Sequence, residues 1–232
     1  DDENFYVNVG AGENWHSFVI HCVSKGYGGV ENLSLIPGNV GAAPIQNIGA
    51  YGVELQDVFH ELDAFHLRSG VKRTFSKDDC LFGYRDSVFK NKYKGEYMIA
   101  AVRFKFRKNA EFNVSYAGLQ GELDKTGLTE LSIKAISDAV CNIRRSKLPD
   151  PSVIGNAGSF FKNPVVNEKA FKALKIDFPG IVYFKSGEGN VKLAAAWLID
   201  QCNWKGKRYG DAGVHKNHAL VLSNYGNASG AE

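Results

Sequence analysis

The sequence lacks the features that mark secreted, membrane and nucleic-acid-binding proteins. Within its 232 residues, no apolar run approaches the roughly 20 residues that a membrane helix needs, and no basic segment followed by an apolar stretch opens the chain. The formal net charge is only +3, and basic residues alternate with acidic ones, so the charge pattern does not indicate a nucleic-acid partner. We therefore expect a cytoplasmic protein without a membrane or nucleic-acid partner, and as a separate expectation a monomer.

Cysteines and the common catalytic motifs are scarce as well. The cysteines lie too far apart for a metal knuckle or a redox pair, and we predict that all are buried, reduced thiols: Cys22, Cys80, Cys141 and Cys202. His215 and His218 are three residues apart, but no third ligand stands at a suitable spacing, so no metal site is predicted. Phosphate-loop, HExxH and GxSxG motifs are absent too.

Apolar periodicity predicts an α+β protein. Residues 15–23 carry apolar side chains at helical spacing, and residues 56–73 show the pattern of a strand and hairpin. The clearest strand is AAVRFKFRK, in which Val102, Phe104 and Phe106 face one way and charged residues face the other. This alternation is typical of an antiparallel or mixed sheet that is covered on one side.

A break in the pattern predicts two domains. A helix is expected over residues 132–145, and the prolines of KLPDP, which begins at Lys147, interrupt it. We place a first domain at 1–148 and a second at 149–232. The second is predicted to contain helices over 168–174 and 191–202 and a strand over 218–222.

A glycine-rich segment, residues 32–55, has too many small residues to form a regular element over most of its length. Its apolar residues argue against disorder. Backbone amides that glycine leaves accessible could approach a pyrophosphate or a ring system, and neighbouring isoleucines could cover a flat cofactor. Because many structural loops share this pattern, a cofactor loop and a structural loop remain open alternatives.

The stretch GNAGSFFKNP, residues 155–164, is predicted to be neither helix nor strand. One interpretation is a structural turn that needs glycine, followed by two core phenylalanines. The alternative is a turn that presents Ser159 to a reaction. Taken alone, the pattern favours the structural turn.

A second candidate, YRDSVFK, places a guanidinium among aromatic side chains. Arg85 is predicted either to form a surface ion pair with Asp86 or another acid, or to hold a carboxylate or a developing enolate bidentately. The ion pair is the simpler interpretation. Structural roles are equally open for Lys147 at a helix end, Tyr116 at a turn and Tyr51 at the edge of the core.

Six phrases, in this order, together resemble one family: GAGENWHSFV, NLSLIPGNVGAAPIQNIGAYGVELQDV, FGYRDSVFK, KLPDPSVIGNAGSFFKNPVV, VKLAAAWLIDQC and HALVLSN. They cover essentially the whole chain and are similar to the UDP-N-acetylenolpyruvoylglucosamine reductases (MurB), flavoenzymes of peptidoglycan synthesis. The segment SYAGL resembles that of the type I subgroup. The resemblance implies an α+β fold of the FAD-binding oxidoreductase class that includes vanillyl-alcohol oxidase, with a mixed sheet and a smaller α+β substrate-binding lobe.

The resemblance also implies a reaction. FAD is tightly held, NADPH is the reductant, and UDP-N-acetylglucosamine enolpyruvate is reduced to UDP-N-acetylmuramate. Hydride passes from the flavin to the vinyl carbon distal to the ether oxygen, and negative charge develops on the adjacent carbon and its carboxylate. By the same resemblance, Arg85 stabilises this charge and Ser159 donates the proton that the carbon then takes.

Two further sets of residues match family positions. Substrate contacts are implied for Tyr51, Tyr116, Lys147, Asn163 and Lys205, the last near the diphosphate. FAD neighbours are implied for Ile36, Pro37, Ala42, Ile45, Gln46, Ile48, Arg144 and Gly158. Where family members often carry glutamine, this chain has His218.

The family also has an N-terminal stretch with a glycine-rich flavin loop and a C-terminal stretch with a catalytic glutamate, and these residues contain neither. Both predicted domains are therefore expected to be partial. One alternative is a non-catalytic remnant that binds a UDP-sugar or a partner protein but holds no flavin. Another is an FAD-dependent oxidase with a different substrate, against which the segments around Arg85 and Tyr116 weigh.

Overall fold

An alternation of apolar and charged residues produces the strand on which the first part of the chain is built. The computed structural model describes residues 1–127 and 130–232. In it, Val102, Phe104 and Phe106 are fully buried on one face of this strand. The predicted strand and its buried face are thus confirmed.

The described chain divides into two units, Asp1–Arg144 and Arg145–Glu232, a few residues before the predicted division after residue 148. The first unit contains, in chain order, β1 Asn4–Gly10, α1 Trp15–Lys25, β2 Gly49–Ala50, β3 Val53–Glu54, β4 Phe59–His66, β5 Lys72–Ser76, α2 Lys77–Cys80, β6 Tyr97–Arg107, α3 Ala117–Asp124 and α4 Ile133–Lys147, of which α4 continues past the division.

The main sheet of the first unit has the strand order β1-β6-β4-β5. Every pairing between described strands is antiparallel, so the expectation of a mixed sheet is wrong for this part of the chain. The hairpin predicted within 56–73 is confirmed by β4 and β5, which pair from Glu61↔Ser76 to Phe65↔Lys72. Antiparallel pairing fits the one-sided burial of β6.

Helix α1 covers this sheet. The side chain of Asn14 accepts a hydrogen bond from the backbone N–H of Ser17 and begins the helix, and Gly26 ends it in the left-handed conformation that glycine adopts easily. Trp15 is buried against Phe104, and its indole N–H donates to the carbonyl of Leu33 at 2.9 Å. The core of the unit therefore lies between α1, the loop after it and the sheet.

A second apolar cluster in the same unit joins α3 and α4. The predicted stripe of α4 is buried as the 3.6-residue period requires, and it consists of Ala135, Ile136, Ala139, Val140 and Ile143. Tyr51 and Phe112 pack against this cluster. The helix expected over 132–145 is thereby confirmed.

The second unit consists of short elements. After α4 they are β7 Gly155–Ser159, β8 Val165–Asn167, α5 Glu168–Asp177, β9 Tyr183–Lys185, β10 Asn190–Leu193, α6 Ala195–Gln201, β11 Arg208–Tyr209, β12 Ala212–Val214 and β13 Val221–Asn224. They form two antiparallel sheets, in the orders β8-β10-β9 and β11-β12-β13-β7. Helix α5 confirms the helix expected from residue 168, and the strand expected over 218–222 begins three residues later, at Val221.

Two other predictions for this unit are wrong. Residues 155–159 form β7, because pairing with β13 satisfies backbone groups that glycine-rich turns leave free. Residues 190–193 form β10 rather than the start of a helix, and Val191 and Leu193 alternate into the core at strand spacing. The helix predicted over 191–202 is therefore only α6.

The cysteine prediction is partly wrong. Cys22, Cys80 and Cys141 are buried thiols, but Cys202 is exposed just after α6. Burial raises the pKa of the Cys22 and Cys80 thiols to about 12, which keeps both protonated at neutral pH. No helix in the described ranges has the length and apolar character needed to span a bilayer.

The outer face of the sheet carries a network of ion pairs around Asp63. Arg103 donates to both carboxylate oxygens of Asp63, at 2.9 and 3.1 Å. Lys72 lies 3.0 Å from the same group, and the Thr74 hydroxyl donates to it at 2.6 Å. The Arg103 guanidinium, followed by the Thr74 hydroxyl, holds the pKa of Asp63 well below its usual range.

We expect Asp63→Asn to lower the free energy of unfolding by about 2 kcal/mol at pH 7, because the charged hydrogen bonds from Arg103 are lost. The pKa of Asp63 is lower in the folded state than its unfolded value of about 3.9, so this stabilisation is complete above that value and disappears as the pH falls through the folded pKa. Urea denaturation at pH 7 and pH 3 tests this. Asp2→Asn, at an exposed carboxylate, is the control, and equal losses for both variants would contradict the prediction.

Candidate active site

Arg85 is held by the first unit, in a loop where its backbone adopts a left-handed conformation with φ of 55°. Its Nη1 donates to Oε1 of Glu54 at 3.1 Å, and the two side chains are 27% and 26% exposed. Nη1 also lies 3.5 Å from the carbonyl oxygen of Asn47, and Nη2 donates to the carbonyl oxygen of Gly49. The ion pair considered from the sequence therefore exists, but its acid is Glu54 and not Asp86, and it is largely buried.

The acid is placed by a two-residue hairpin. Strands β2 and β3 pair Gly49 with Glu54, and the connecting residues Tyr51 and Gly52 both have positive φ, of 49° and 84°. This is the backbone pattern of tight antiparallel hairpins. Gly49 and Glu54 are cross-strand partners. The Gly49 carbonyl and the Glu54 carboxylate therefore lie next to each other, and both accept hydrogen bonds from Arg85.

A buried asparagine fixes the geometry of this acid. Asn47 Nδ2 donates to Oε2 of Glu54 at 2.8 Å and to the carbonyl of Gly83 at 3.0 Å, and its Oδ1 accepts from the backbone of Gln56 at 3.0 Å. Gln56 Nε2 also donates to Oε2 of Glu54, at 2.8 Å. Asn47 has φ of 43°, a conformation that asparagine tolerates better than most residues. One side chain thus joins the hairpin to the segment that carries Arg85.

The glycine-rich segment is a chain of short 3-10 turns rather than a regular element, as its composition predicts. Of the residues predicted to neighbour FAD, Ile48 is 7% exposed and lies in the core, and Ile36 packs against that core. The others in this segment are exposed: Pro37, Ala42, Ile45 and Gln46. The backbone amides of Gly38 and Asn39 donate to no acceptor within residues 1–127 or 130–232.

A polar cluster lies beside this segment. The guanidinium of Arg144 donates through Nε to the carbonyl of Leu35 at 3.2 Å and forms a hydrogen bond with the Tyr51 side chain. The rings of Tyr51 and Tyr116 meet edge to face, with centroids 5.1 Å apart. Burial raises the pKa of Tyr51 and lowers that of Arg144. Three residues predicted from the sequence are therefore brought together here.

Two polar groups in this cluster, one buried and one half-buried, have incomplete partners among the described residues. Asn32 is 1% exposed and donates to the carbonyls of Tyr51 and Asn113, at 2.9 and 2.8 Å, while its Oδ1 accepts from no described residue. Arg144 forms no ion pair with any carboxylate of the described chain. A half-buried cation and a buried acceptor without a donor suit a ligand that carries both negative charge and hydrogen-bond donors.

The second unit presents Ser159 at the end of β7. It pairs with Val221, and its hydroxyl forms no hydrogen bond within the described residues. Between the pairs Asn156–Ser223 and Ser159–Val221, β7 has one more residue than β13, and Gly158, with φ of 61°, lies in this bulge, an arrangement that typically redirects a side chain. Phe160 and Phe161 are 57% and 51% exposed, so their expected place in the core is wrong.

The remaining candidates of this unit have separate surroundings. Asn163 Oδ1 accepts from the backbone of Ala195 at 2.9 Å and so fixes the start of α6. Lys147 is the exposed last residue of α4, and Lys205 is exposed after α6. The Nδ1 of His218 accepts from the backbone of Leu220 at 3.3 Å, which gives it a turn-forming contact.

The sequence did not reveal four residues of the first unit that hold the predicted ones in place: Asn32, Asn47, Gly49 and Glu54. Asparagine in a glycine-rich loop is a usable signal for a left-handed backbone. Glu54, by contrast, follows an apolar stretch with no periodicity, so nothing local marks it as the partner of a residue 31 positions away.

We expect Asn47→Ala to lower the free energy of unfolding by about 3 kcal/mol, because it removes several buried hydrogen bonds and places alanine in a left-handed conformation. Asn203→Ala is the matched control, since Asn203 is left-handed with φ of 58° but exposed. It should lose only about 1 kcal/mol. Urea denaturation followed by circular dichroism measures both, and similar losses would show that the Asn47 hydrogen bonds contribute little.

Family models match both parts of the chain. Residues 150–232 match the model described as UDP-N-acetylenolpyruvoylglucosamine reductase, C-terminal domain. Residues 1–74 match the model described as FAD binding domain.

Curated relatives match the full length of the chain. A UDP-N-acetylenolpyruvoylglucosamine reductase of Pseudomonas putida is 53% identical over 232 residues, which are 100% of this chain and 68% of the relative. A reductase of the same name from Amoebophilus asiaticus is 50% identical over 230 residues, which are 99% of this chain and 68% of the relative. The chain thus spans about two thirds of the length of these relatives.

A solved structure shares the fold. The crystal structure of UDP-N-acetylenolpyruvylglucosamine reductase (MurB) from Thermus caldophilus superimposes with a TM-score of 0.64 at 24% identity, over 96% of this chain and 63% of that one. The predicted α+β fold of the FAD-binding oxidoreductase class is confirmed.

Proposed function

The chain belongs to the UDP-N-acetylenolpyruvoylglucosamine reductase family, and on that premise we propose that it catalyses the NADPH-dependent reduction of UDP-N-acetylglucosamine enolpyruvate to UDP-N-acetylmuramate through bound FAD. The observation that carries the proposal is the guanidinium of Arg85, anchored on one side and unpaired at Nε within the described residues. The reaction serves peptidoglycan synthesis, and through it cell shape and division. We propose a cytoplasmic monomer.

The first unit fits FAD chemically. The cofactor carries a diphosphate and a ribityl chain, which would supply negative charge to Arg144 and hydroxyl donors to Asn32. The backbone amides of Gly38 and Asn39 are available to oxygen acceptors. Bound FAD would supply the transfer of hydride from NADPH to the substrate. In the proposal, residues 1–148 hold FAD and residues 149–232 contact the substrate.

Arg85 would stabilise the negative charge that develops on the substrate. Addition of hydride to the vinyl group leaves negative charge on the carbon beside the carboxylate, and a fixed guanidinium stabilises that charge as it forms without having to reorganise. Anchoring by Glu54 and the Gly49 carbonyl supports this role, because it removes most of the conformational freedom of a long side chain.

Ser159 would supply the proton. Its exposed hydroxyl has no partner among the described residues and follows the bulge at Gly158, so it is available to a ligand. An enolate carbon is basic enough to take a proton from a hydroxyl that is held close to it where water is excluded. Substrate contacts are proposed for Tyr51, Tyr116, Lys147, Asn163 and Lys205, which offer hydroxyl, ammonium and amide donors to a sugar nucleotide.

We expect Ser159→Ala to leave anaerobic reduction of the flavin by NADPH nearly unchanged and to slow its reoxidation by the enolpyruvyl substrate about 100-fold or more. The hydroxyl is needed only after hydride has left the flavin. Stopped-flow absorbance separates the two half-reactions, and Ser229→Ala, at another exposed serine of this unit, is the control.

Equal slowing of both half-reactions would mean that Ser159 orients the flavin instead of donating a proton. A colourless chain that FAD cannot reconstitute would contradict the proposed reaction for this chain. It would leave the non-catalytic binding protein as the explanation.

We expect Arg144→Ala to weaken FAD binding at least about tenfold, because it removes the half-buried cation proposed to pair with the cofactor. Quenching of flavin fluorescence on titration of the apoprotein measures the dissociation constant. The exposed neighbour Arg145→Ala should bind FAD like the wild type. Unchanged affinity in a folded Arg144→Ala variant would exclude Arg144 from the cofactor site.

A further inference from the structure

The hydrogen bonds of Arg85 are distributed unevenly over its guanidinium. Nη1 is directed to Glu54 and to the carbonyl of Asn47, and Nη2 donates to the carbonyl of Gly49. Nε and the second N–H of Nη2 donate to nothing within the described residues. Nε and Nη2 form one edge of the planar group, with no acceptor at Nε and one unused N–H at Nη2, and such an edge matches the two oxygens of a carboxylate.

Glu54, which accepts from Nη1 of Arg85, is itself held in place by hydrogen bonds. Glu54 Oε2 accepts from Asn47 Nδ2 and from Gln56 Nε2, both at 2.8 Å. The backbone N–H of Glu54 donates to Asp57 at 2.8 Å, in a reciprocal capping arrangement. A surface ion pair usually leaves both side chains free to move, but here one partner has three fixed contacts. The position of Arg85 therefore follows from that of Glu54.

The guanidinium of Arg85 also lies close to Gly49. A Cβ added to Gly49 would lie 2.5 Å from Nη1 of Arg85 and 3.0 Å from both Cγ of Glu54 and the carbonyl oxygen of Val53, and the contact with Arg85 is closer than van der Waals contact allows. Gly49 does not have a positive φ, so its glycine is explained by this close approach and not by backbone conformation. The guanidinium is thus held between a carboxylate and a bare stretch of main chain.

We propose that Glu54 and Asn47 are positioning residues that hold Arg85 by Nη1 and present its Nε–Nη2 edge to the carboxylate of the enolpyruvyl group. The inference rests on the proposed function. Glu54 and Asn47 then determine specificity. The Nε–Nη2 edge of Arg85 that they orient binds the carboxylate, which distinguishes the enolpyruvyl sugar nucleotide from the same sugar nucleotide without it.

The experiment compares two ligands on the FAD-loaded 232-residue chain by isothermal titration calorimetry: UDP-N-acetylglucosamine enolpyruvate and UDP-N-acetylglucosamine. Glu54→Gln places an amide among hydrogen-bond donors and should release Arg85. Gly49→Ala should displace Arg85 sterically, with no change of charge. Each variant is expected to bind the enolpyruvyl ligand about tenfold more weakly and the parent ligand with unchanged affinity.

Matched controls separate positioning from general damage. Glu61→Gln removes the ion pair of Glu61 with Arg103. This pair is comparable, because the side chains of Arg103 and Glu61 are 27% and 32% exposed. Gly230→Ala adds a Cβ where no atom lies within 4 Å. Both controls should keep the wild-type preference between the two ligands.

The outcomes separate the two proposals. If the wild type prefers the enolpyruvyl ligand and the variants keep that preference, Glu54 and Gly49 do not position Arg85, while the proposed function stands. If the wild type shows no preference, recognition of the carboxylate by Arg85 is wrong and both proposals are overturned. Weaker binding of both ligands by the variants would indicate a general structural role and would also overturn this inference.

Discussion

Burial of polar groups is the constraint on which the first unit depends. Asn47 has no access to solvent, and the structure satisfies it by joining three segments at one side chain, the loop before β2, the end of β3 and the loop that carries Arg85. Because a buried amide without partners is costly, these segments cannot move independently. The position of the cation at the candidate active site follows from this requirement.

The same constraint separates structure from function elsewhere in the unit. The buried hydroxyl of Ser34 forms a hydrogen bond of 2.8 Å with the hydroxyl of Ser137. This bond links the glycine-rich loop to α4, and no ligand is needed to explain the burial of the two groups. Asn32 and Arg144, a few residues away along the same two segments, are buried and half-buried respectively, with incomplete partners among the described residues. That difference is the physical ground for proposing that the second pair, and not the first, contacts a cofactor.

The second unit follows a different principle. Its strands are three to five residues long in β7 to β10, and its apolar core gathers around Phe171, Ile181, Val191 and Leu193. Short strands leave many side chains exposed, among them Phe160 and Phe161, which local pattern alone places in a core. Prediction from sequence was therefore weaker here. The backbone of residues 155–159 finds its partners in β13, more than 60 residues later, and no local signal marks such a pairing.

The sequence by itself determined the elements whose pattern is long and regular: α1, β6 and α4. It also determined the family, because long motifs in a fixed order are specific without any knowledge of their contacts. Only the tertiary structure decided which acid holds Arg85, since a hairpin and a buried amide bring Glu54 to it from another part of the chain. Local sequence encodes periodicity and caps, whereas the direction in which a guanidinium points is set by partners that only folding brings together.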